Sequence, residues 1–342
     1  MGWLEVGVTK KAGSTPLWKP ENANKMSGPS TLNTDMHYVP QCLLRGFEIS
    51  PGSDQVFAFA KADDRTFPVG IRNVACERDF YTIEDSDALD QVMNRADGQL
   101  ANLLRSIREK ETIFWLSPEE RTMLAGFTIL QSARTRAKLE QWKSIGKSFL
   151  EVAEKKGWRF EDPSKFQMEP EEERNGFLSS IVPLTIECLP YLLDKRMLLY
   201  KADAKLPFWI SDNPVALANT VNPGDGIRGT LGFTVPGIEV YLPVSSRLTL
   251  AFLCPSILEG FEVRCENVKR LGFIDWRSQN FLNGARRGLP VQLSRDETLY
   301  QNSLQVANAE RFVFSCQNEY SEAANMLKNA PELRSGPRVI AQ

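Results

Sequence analysis

The stretch Ser86–Lys110, SDALDQVMNRADGQLANLLRSIREK, carries the clearest structural signal in the chain. Its apolar residues recur at intervals of three and four, so they line one face of a helix. This spacing predicts an amphipathic helix that packs on a core. The residues of the apolar stripe are Leu89, Val92, Met93, Ala96, Leu100, Leu103, Leu104 and Ile107.

A second helix start follows at Ser117-Pro118-Glu119-Glu120. The serine is a capping residue, proline suits the first helical position, and the glutamate at the third position completes a capping box. We expect this helix to run past Trp142 towards Ala153. Its expected core contacts are Leu124, Phe127, Leu130, Ile145 and Phe149.

The segment after Pro170 has the features of a third long helix. The acidic run Glu171–Glu173 suits a first helical turn, where carboxylates meet the positive end of the helix dipole. Pro183 and Pro190 lie inside the apolar segment that follows, and each should kink or break the helix.

Strand signals stand on both sides of this helical region. The run Gln55–Ala60, QVFAFA, has the pattern of a half-buried strand. The later elements are three expected strands, then a helix and a last strand, at 206–210, 238–242, 248–253, 296–309 and 311–315. This order predicts an α+β fold, with a small N-terminal β element, central long amphipathic helices, and a C-terminal β-rich half closed by a helix and a strand.

Composition and length bound the class of protein. The 342 residues are 42% hydrophobic and 25% charged, which is typical of a folded protein. We divide them into a loose leader at 1–34, a single globular α+β domain at 35–320 and a C-terminal tail at 321–342.

No apolar run appears long enough for a signal peptide or a membrane span, so we expect no membrane partner and a cytoplasmic location. Because 41 Lys and Arg balance 43 Asp and Glu, the net charge does not support a nucleic-acid partner, although it does not forbid a local basic patch.

Several common signatures are missing from the sequence. One histidine excludes a two-histidine zinc helix, and the six cysteines form no C-x-x-C pair. The phosphate-binding motifs G-x-x-x-x-G-K-[ST] and G-x-G-x-x-G and the nucleophile elbow G-x-S-x-G are also missing. Nucleotide binding by these common phosphate-binding loops is therefore unsupported, the cofactor stays unknown, and we do not expect a serine hydrolase of the common type. Magnesium or manganese would suit carboxylate ligands, but nothing in the sequence requires either metal.

The one histidine, His37, stands just ahead of a short helix start at Pro40. An imidazole titrates near neutral pH, so His37 is a candidate general acid or base, or a metal ligand. The alternative is a partly buried structural histidine bonded to the backbone.

A polar cluster, Ser211-Asp212-Asn213-Pro214, follows the apolar run that ends at Ile210. Polar side chains at a strand end often form sites, so Asp212 is a candidate metal ligand or partner of His37, and Ser211 and Asn213 are candidate donors to a substrate. Asp, Asn and Pro are equally common in turns, where their side chains satisfy the backbone.

Two helices carry further polar candidates. Gln131 and Arg134 are three residues apart on the second long helix, close to Phe127 and Leu130, which directs the arginine towards the interior. A buried arginine needs an anion, and an ion pair with Glu77 or Asp97 is favoured over a ligand phosphate. On the last helix, Asn302 and Gln305 share one face.

These residues together resemble a known family. Its landmarks are His37–Gln41, Leu44–Phe47, Asn73–Ala75 with Phe80 and Tyr81, Gln131–Arg136, Ser211–Pro214 and Asn302–Phe314. In this order, over about residues 36 to 316, they resemble the domain-of-unknown-function family DUF4238. The resemblance implies a bacterial or fungal protein without an assigned activity, in which the histidine, the arginines, including Arg45, and the late polar residues belong to one pattern. The chain departs from the family in carrying Asp97 where such sequences often have Glu, which puts a metal-ligand or general-base role at that position in doubt.

Three functions remain open from the sequence. The leading hypothesis is a hydrolase or nuclease-like enzyme for a phosphate-containing substrate, with His37 as acid or base, Asp212 and Glu77 as carboxylates and Arg134 holding negative charge. The residues that would bind the substrate are Arg45, Gln131, Ser211, Asn213 and Asn302. The alternative is a non-catalytic module that binds a ligand or peptide in a polar pocket, and a third possibility is an internal hydrogen-bond network. The site hypothesis requires His37, Arg134 and Asp212 to lie within about 10 Å of one another around a solvent-reachable pocket.

Overall fold

The chain is an α+β protein, as the sequence predicted. The computed structural model describes residues 35–84, 86–157, 168–221 and 231–338, so the predicted leader at 1–34 lies outside the described residues. The described helices are α1 (Gln41–Leu44), α2 (Ala88–Lys110), α3 (Pro118–Ala133), α4 (Arg136–Lys155), α5 (Pro170–Leu193), α6 (Pro255–Arg270), α7 (Trp276–Arg287), α8 (Arg295–Asn308) and α9 (Ser321–Asn329). The described strands are β1 (Asp35–His37), β2 (Gln55–Ala60), β3 (Thr66–Gly70), β4 (Cys76–Arg78), β5 (Arg196–Lys201), β6 (Ile210–Ser211), β7 (Ala216–Ala218), β8 (Glu239–Pro243), β9 (Leu248–Leu253), β10 (Pro290–Gln292) and β11 (Phe312–Ser315).

A four-stranded antiparallel sheet joins the two ends of the domain. Its strand order is β3-β2-β11-β6, so β2 from the N-terminal part lies beside β11 from the C-terminal part. Val313 of β11 pairs with Phe59 on one side and Ser211 on the other. The predicted N-terminal β element and the predicted last strand therefore belong to one sheet.

A five-stranded sheet forms the second β layer, with the order β10-β5-β9-β8-β7. All neighbours are antiparallel except β10 and β5, which run parallel. The register places Glu239 opposite Leu253, and Tyr241 opposite Ala251, on one face of the sheet. Because side chains alternate along a strand, Val240, Phe252 and their neighbours on the other face enter the main hydrophobic core.

The helices α2 and α3 confirm the two strongest sequence signals. The stripe on α2 buries Met93, Leu100, Leu103, Leu104 and Ile107 in the main core. The capping box on α3 forms as predicted: Ser117 Oγ accepts the backbone N–H of Glu120 at 3.2 Å, and the Glu120 carboxylate accepts the backbone N–H of Ser117 at 2.8 Å.

The predicted helix from residue 118 to about 153 is wrong in one respect, because it is two helices. The helix α3 ends at Ala133 and α4 begins at Arg136. The break turns Thr135 inward, where its hydroxyl donates to Asn213 Oδ1 at 2.9 Å. Ile145 is half exposed and not a core residue, and the side chain of Phe149 lies outside the described residues.

The helix α5 begins at Pro170 with the acidic first turn that we predicted. Pro183 and Pro190, at which we expected a kink or a break, both lie inside it, and neither breaks it. The residues four positions earlier, Ser179 and Ile186, are exposed, so water can satisfy the carbonyls that a proline leaves unpaired. By length and composition alone, α5 is long and apolar enough to cross a membrane, which we did not predict. In the structure it packs on α3 and buries Phe177, Leu178, Ile181 and Leu192.

Two further segments differ from the sequence predictions. We expected a strand at 206–210, but only Ile210 of this range belongs to one. The backbone N–H of Trp209 donates to the side chain of Asn302 at 2.8 Å and not to a neighbouring strand. The predicted tail from residue 321 instead forms α9, which buries Ala323 and Leu327 against Phe59 and Trp209 as far as the described residues extend. Apolar residues at helical spacing in this segment explain why it packs.

Candidate functional site

The Arg134 side chain lies in the interior at the end of α3. Its Nη2 donates to Asp97 Oδ1 at 2.6 Å, and its Nε donates to Gln131 Oε1 at 2.9 Å. Gln131 donates in turn to the backbone oxygen of Tyr38 at 2.8 Å. The ion pair that we favoured for this arginine is therefore confirmed, and Asp97 is the partner.

His37 ends strand β1 and pairs with Cys76 of β4. Its Nε2 atom is buried and has no hydrogen-bond partner among the described residues. Burial lowers the pKa of His37 below its ordinary value, although the backbone of Ile71 and the carboxylate of Asp35 act in the opposite direction. The imidazole is therefore neutral at pH 7.

Arg311 connects this region to the Ser211–Pro214 segment. Its Nη2 donates to Tyr38 Oη at 3.0 Å and to Glu77 Oε1 at 3.1 Å. Glu77 also accepts a hydrogen bond from Arg136 at 2.6 Å. The carboxylate of Glu77, which we had considered for catalysis, is thus held by two arginines of the chain itself.

The Asp212 carboxylate is 1% exposed and accepts three backbone hydrogen bonds. Its Oδ1 accepts the N–H of Glu310 at 2.7 Å, and its Oδ2 accepts those of Arg311 at 2.8 Å and Phe312 at 3.1 Å. Burial raises the pKa of Asp212 to about 6, while the three N–H groups act to lower it. These contacts fix the chain where it enters β11.

Ser211 and Asn213 make their contacts within the protein as well. The Ser211 hydroxyl lies 2.9 Å from Gln305 Oε1, and Gln305 Oε1 also accepts the Ser211 N–H at 3.0 Å. Asn213 accepts from Thr135 at 2.9 Å and donates to the backbone oxygen of Asn308 at 2.9 Å. Both side chains therefore connect the Ser211–Pro214 segment to its neighbouring helices.

Helix α8 presents its amides to the backbone of the same segment. Asn302 accepts from the Trp209 N–H at 2.8 Å and donates to the Pro207 oxygen at 2.9 Å. Gln305 donates to the Pro214 oxygen at 2.9 Å. The shared face that the sequence predicted for Asn302 and Gln305 thus forms hydrogen bonds to an irregular stretch of backbone.

Arg45 stands apart from these residues. Its guanidinium is exposed and contacts Asp54 at 3.3 Å and Gln41 at 3.0 Å. It lies on the surface after α1 and is not joined to the buried contacts of Arg134 or Asp212.

The structure therefore gathers most of the predicted residues into a buried polar network. The network consists of Gln131, Arg134, Thr135, Ser211, Asp212, Asn213, Asn302 and Gln305 with the residues that they contact. Arg134 is 0% exposed, so a solute does not reach it. Within the described ranges, no three His, Cys, Asp or Glu side chains lie close enough together to hold a metal ion.

A separate cavity of about 670 Å³ lies between the five-stranded sheet and helices α6, α7 and α8. None of the predicted residues, all of which the structure describes, lines it. The sheet contributes Tyr200, Glu239 and Tyr241 to the cavity wall. Such a volume is typical of a small-molecule site.

Glu239 is a buried carboxylate in the wall of this cavity. It accepts the backbone N–H of Thr220 at 3.0 Å, and it also accepts the hydroxyl groups of Thr220 and Tyr241. A carboxylate has about four acceptor positions, so the three donors among the described residues leave one for another group.

Aromatic side chains form much of the remaining wall. The rings of Tyr200 and Tyr241 lie 5.9 Å apart, and those of Phe261 and Phe281 stack at 4.2 Å. Burial raises the pKa of both tyrosines, so their hydroxyls stay protonated at neutral pH. The wall thus combines flat apolar surfaces with hydrogen-bond donors.

Two arginines line the cavity from α6 and α7. Arg264 pairs with Asp275 at 2.7 Å, and Arg277 pairs with Glu297. Both guanidinium groups remain largely exposed to solvent. Gln301 of α8 is almost fully buried in the wall, and its amide has no hydrogen-bond partner among the described residues.

One signal in the sequence pointed to this cavity, although no site was predicted there. Glu239 is a carboxylate within the apolar run Ile238–Leu242, which we predicted as a strand. A carboxylate inside an apolar strand is seldom buried without a purpose, because its desolvation is costly.

The family comparison agrees with the landmarks in the sequence. The family model named Protein of unknown function (DUF4238) matches residues 36–319 of the chain. The chain therefore belongs to this family. No curated protein and no solved structure gave a match.

Proposed function

We propose that this protein is a small-molecule-binding module whose ligand occupies the cavity between the five-stranded sheet and helices α6–α8. The observation that carries the proposal is the Glu239 carboxylate, which is buried in the cavity wall and already oriented by Thr220 and Tyr241. A fixed carboxylate with a free acceptor position binds an amine or hydroxyl strongly, because little reorganisation is needed.

The other walls narrow the class of ligand. Phe261 and Phe281 offer a flat apolar surface, and Gln301 offers an amide without a partner among the described residues. Arg264 and Arg277, each paired with a carboxylate of the chain, present partly exposed guanidinium N–H groups beside the cavity. These groups suit a ligand with a hydrogen-bond donor at one end, a ring in the middle and an anionic group at the other end, such as a nucleoside phosphate.

The second candidate is a hydrolase or nuclease-like enzyme that uses His37 as acid or base on a phosphate-containing substrate. One observation favours it: His37 Nε2 has no partner among the described residues, and a lowered pKa gives the neutral form that a general base needs. The contacts of Arg134 and Asp212 support structural roles for these two residues instead. We therefore prefer the binding module.

Ligand binding is tested by thermal shift with nucleosides, nucleoside monophosphates, amino acids and amines, followed by calorimetry on each compound that raises the melting temperature. We expect Glu239→Gln and Gln301→Leu each to weaken binding of such a compound by tenfold or more, about 1.4 kcal/mol. Gln301→Leu removes no hydrogen bond within the described protein, so it tests the cavity without disturbing the Thr220 contacts. The matched control is Glu262→Gln, an exposed carboxylate paired with Arg286 outside the cavity wall.

Binding that both cavity variants leave unchanged would place the ligand elsewhere and refute the proposal. The enzyme candidate is tested with a chromogenic phosphodiester and a phosphomonoester, each with and without magnesium or manganese. Turnover that disappears in His37→Ala, in a variant that still folds, would establish the enzyme and displace the binding module.

A further inference from the structure

The turn between helices α6 and α7 displays large apolar side chains to solvent. We call residues Leu271–Trp276, LGFIDW, the hairpin tip. Its apolar residues are Leu271 (73% exposed), Phe273 (69%), Ile274 (53%) and Trp276 (66%). Four large apolar residues this exposed within six positions are unusual, because a folded protein keeps such side chains in solvent only at a cost in solubility.

The tip is held in one conformation by its backbone. Gly272 has a φ of +81°, which glycine adopts without strain, and its N–H donates to the Lys269 oxygen at 2.9 Å. The Phe273 N–H donates to the Val268 oxygen at 3.1 Å. This helix C-cap turns the chain sharply, and Asp275 then caps α7 by accepting the Ser278 N–H at 3.0 Å. The apolar side chains are thus presented on a preformed turn.

Unpaired positive charge lies next to the tip in the chain. Of the four basic side chains in residues 264–277, Arg264 and Arg277 are paired with Asp275 and Glu297. Lys269 and Arg270, immediately before the tip, have no carboxylate partner among the described residues. Two unpaired basic residues beside an apolar tip complement a bilayer with anionic lipids.

We propose that the hairpin tip inserts into the interfacial region of an anionic membrane, with Lys269 and Arg270 at the lipid phosphates. Trp and Phe rings suit the boundary between headgroups and acyl chains, and Leu and Ile suit the apolar layer beneath it. Lysine and arginine close to the tip add electrostatic attraction to the negative leaflet. The expectation of no membrane partner rested on the absence of a spanning segment, and a tip of six residues is too short to be detected in that way.

The test measures co-sedimentation of the full chain with vesicles of phosphatidylcholine alone and of phosphatidylcholine mixed with phosphatidylglycerol. We expect binding to the anionic vesicles that falls as salt is added, because screening weakens the attraction of Lys269 and Arg270. The double variant Phe273→Ser with Trp276→Ser should bind at least tenfold more weakly, and so should Lys269→Glu with Arg270→Glu. The matched control, Phe114→Ser with Ile186→Ser, alters two equally exposed apolar residues elsewhere and should bind like the wild type.

Circular dichroism and the unfolding midpoint establish that each variant is folded. Because the altered side chains are exposed, we expect both quantities to match the wild type. Absence of vesicle binding, or equal binding by the tip variant, would overturn the proposal. So would a wild-type dimer that the tip variant dissociates in size-exclusion chromatography, since the tip would then be a contact between two copies of the chain.

Discussion

The guanidinium of Arg134, which is fully buried, donates to the carboxylate of Asp97 across 2.6 Å. This contact joins the end of α3 to the middle of α2. The thiol of Cys42 in α1 donates to the backbone oxygen of the same Asp97. A charge in this position depends on its one carboxylate partner, because water does not reach it.

We predict that Asp97→Ala destabilises the protein by about 3 to 5 kcal/mol, since it leaves the buried charge of Arg134 unpaired. Urea unfolding followed by circular dichroism measures the loss. Glu262→Ala, which removes an exposed pair with Arg286, is the control and should cost less than about 1 kcal/mol. Equal losses in the two variants would mean that Arg134 finds another partner.

Replacing Asp212 tests whether its role is structural. Asp212→Ala removes the acceptor of three buried backbone N–H groups, so we expect a loss of about 3 kcal/mol or more in the free energy of unfolding. Asp63→Ala, at an exposed carboxylate beside Arg65, should change the unfolding curve little. A folded, stable Asp212→Ala protein that has lost a catalytic activity would instead assign Asp212 to an active site.

His37 should make the stability of the protein sensitive to mild acid. Its pKa is lowered in the folded state by burial, so the unfolded chain takes up a proton first as the pH falls. This contribution to stability is fully present above the unfolded pKa of 6.5, and it is lost as the pH falls from there through the lower folded pKa. The loss is about 1.4 kcal/mol for each pH unit between the unfolded and the folded pKa.

The measurement is the unfolding free energy of the wild type and His37→Gln at several pH values between neutral and mildly acidic. We expect the unfolding free energy of the wild type, measured relative to that of His37→Gln, to fall as the pH falls. The raised pKa of Asp212 acts with the opposite sign, but it is present in both proteins and cancels. A difference in unfolding free energy that does not depend on pH would mean that the pKa of His37 is the same in the folded and unfolded states.

Two glycines should respond to alanine in opposite directions. A Cβ on Gly46 would lie 2.4 Å from the Val244 oxygen and 2.9 Å from the Arg108 guanidinium, which itself donates to that oxygen. We expect Gly46→Ala to cost about 2 kcal/mol or more. Gly98 lies inside α2 with open space around it, so Gly98→Ala should stabilise by about 0.5 to 1 kcal/mol. Thermal unfolding measures both effects, and destabilisation by Gly98→Ala would contradict the open environment.

Elements with strong local signals were predictable from the sequence. The stripe on α2, the capping box on α3 and the strands β2 and β9 depend on the order of residues within a few turns or a few pairs. The family landmarks were equally visible, and three of them (Gln131–Arg136, Ser211–Pro214 and Asn302–Phe314) contribute to the described hydrogen-bond network. Their chemical role was not visible, because a buried Arg134 and a catalytic Arg134 have the same sequence neighbours.

The sequence by itself determined the α+β class, the long helices and the polar character of the Ser211–Pro214 segment. Only the tertiary structure decided that β2 and β11 share a sheet, that α3 ends at Ala133, and that Glu239 lines a cavity. The physical reason is the range of the interactions. Helix caps and amphipathic stripes involve residues a few positions apart, whereas sheet pairing, buried ion pairs and cavities join residues that are distant in the chain and meet only after folding.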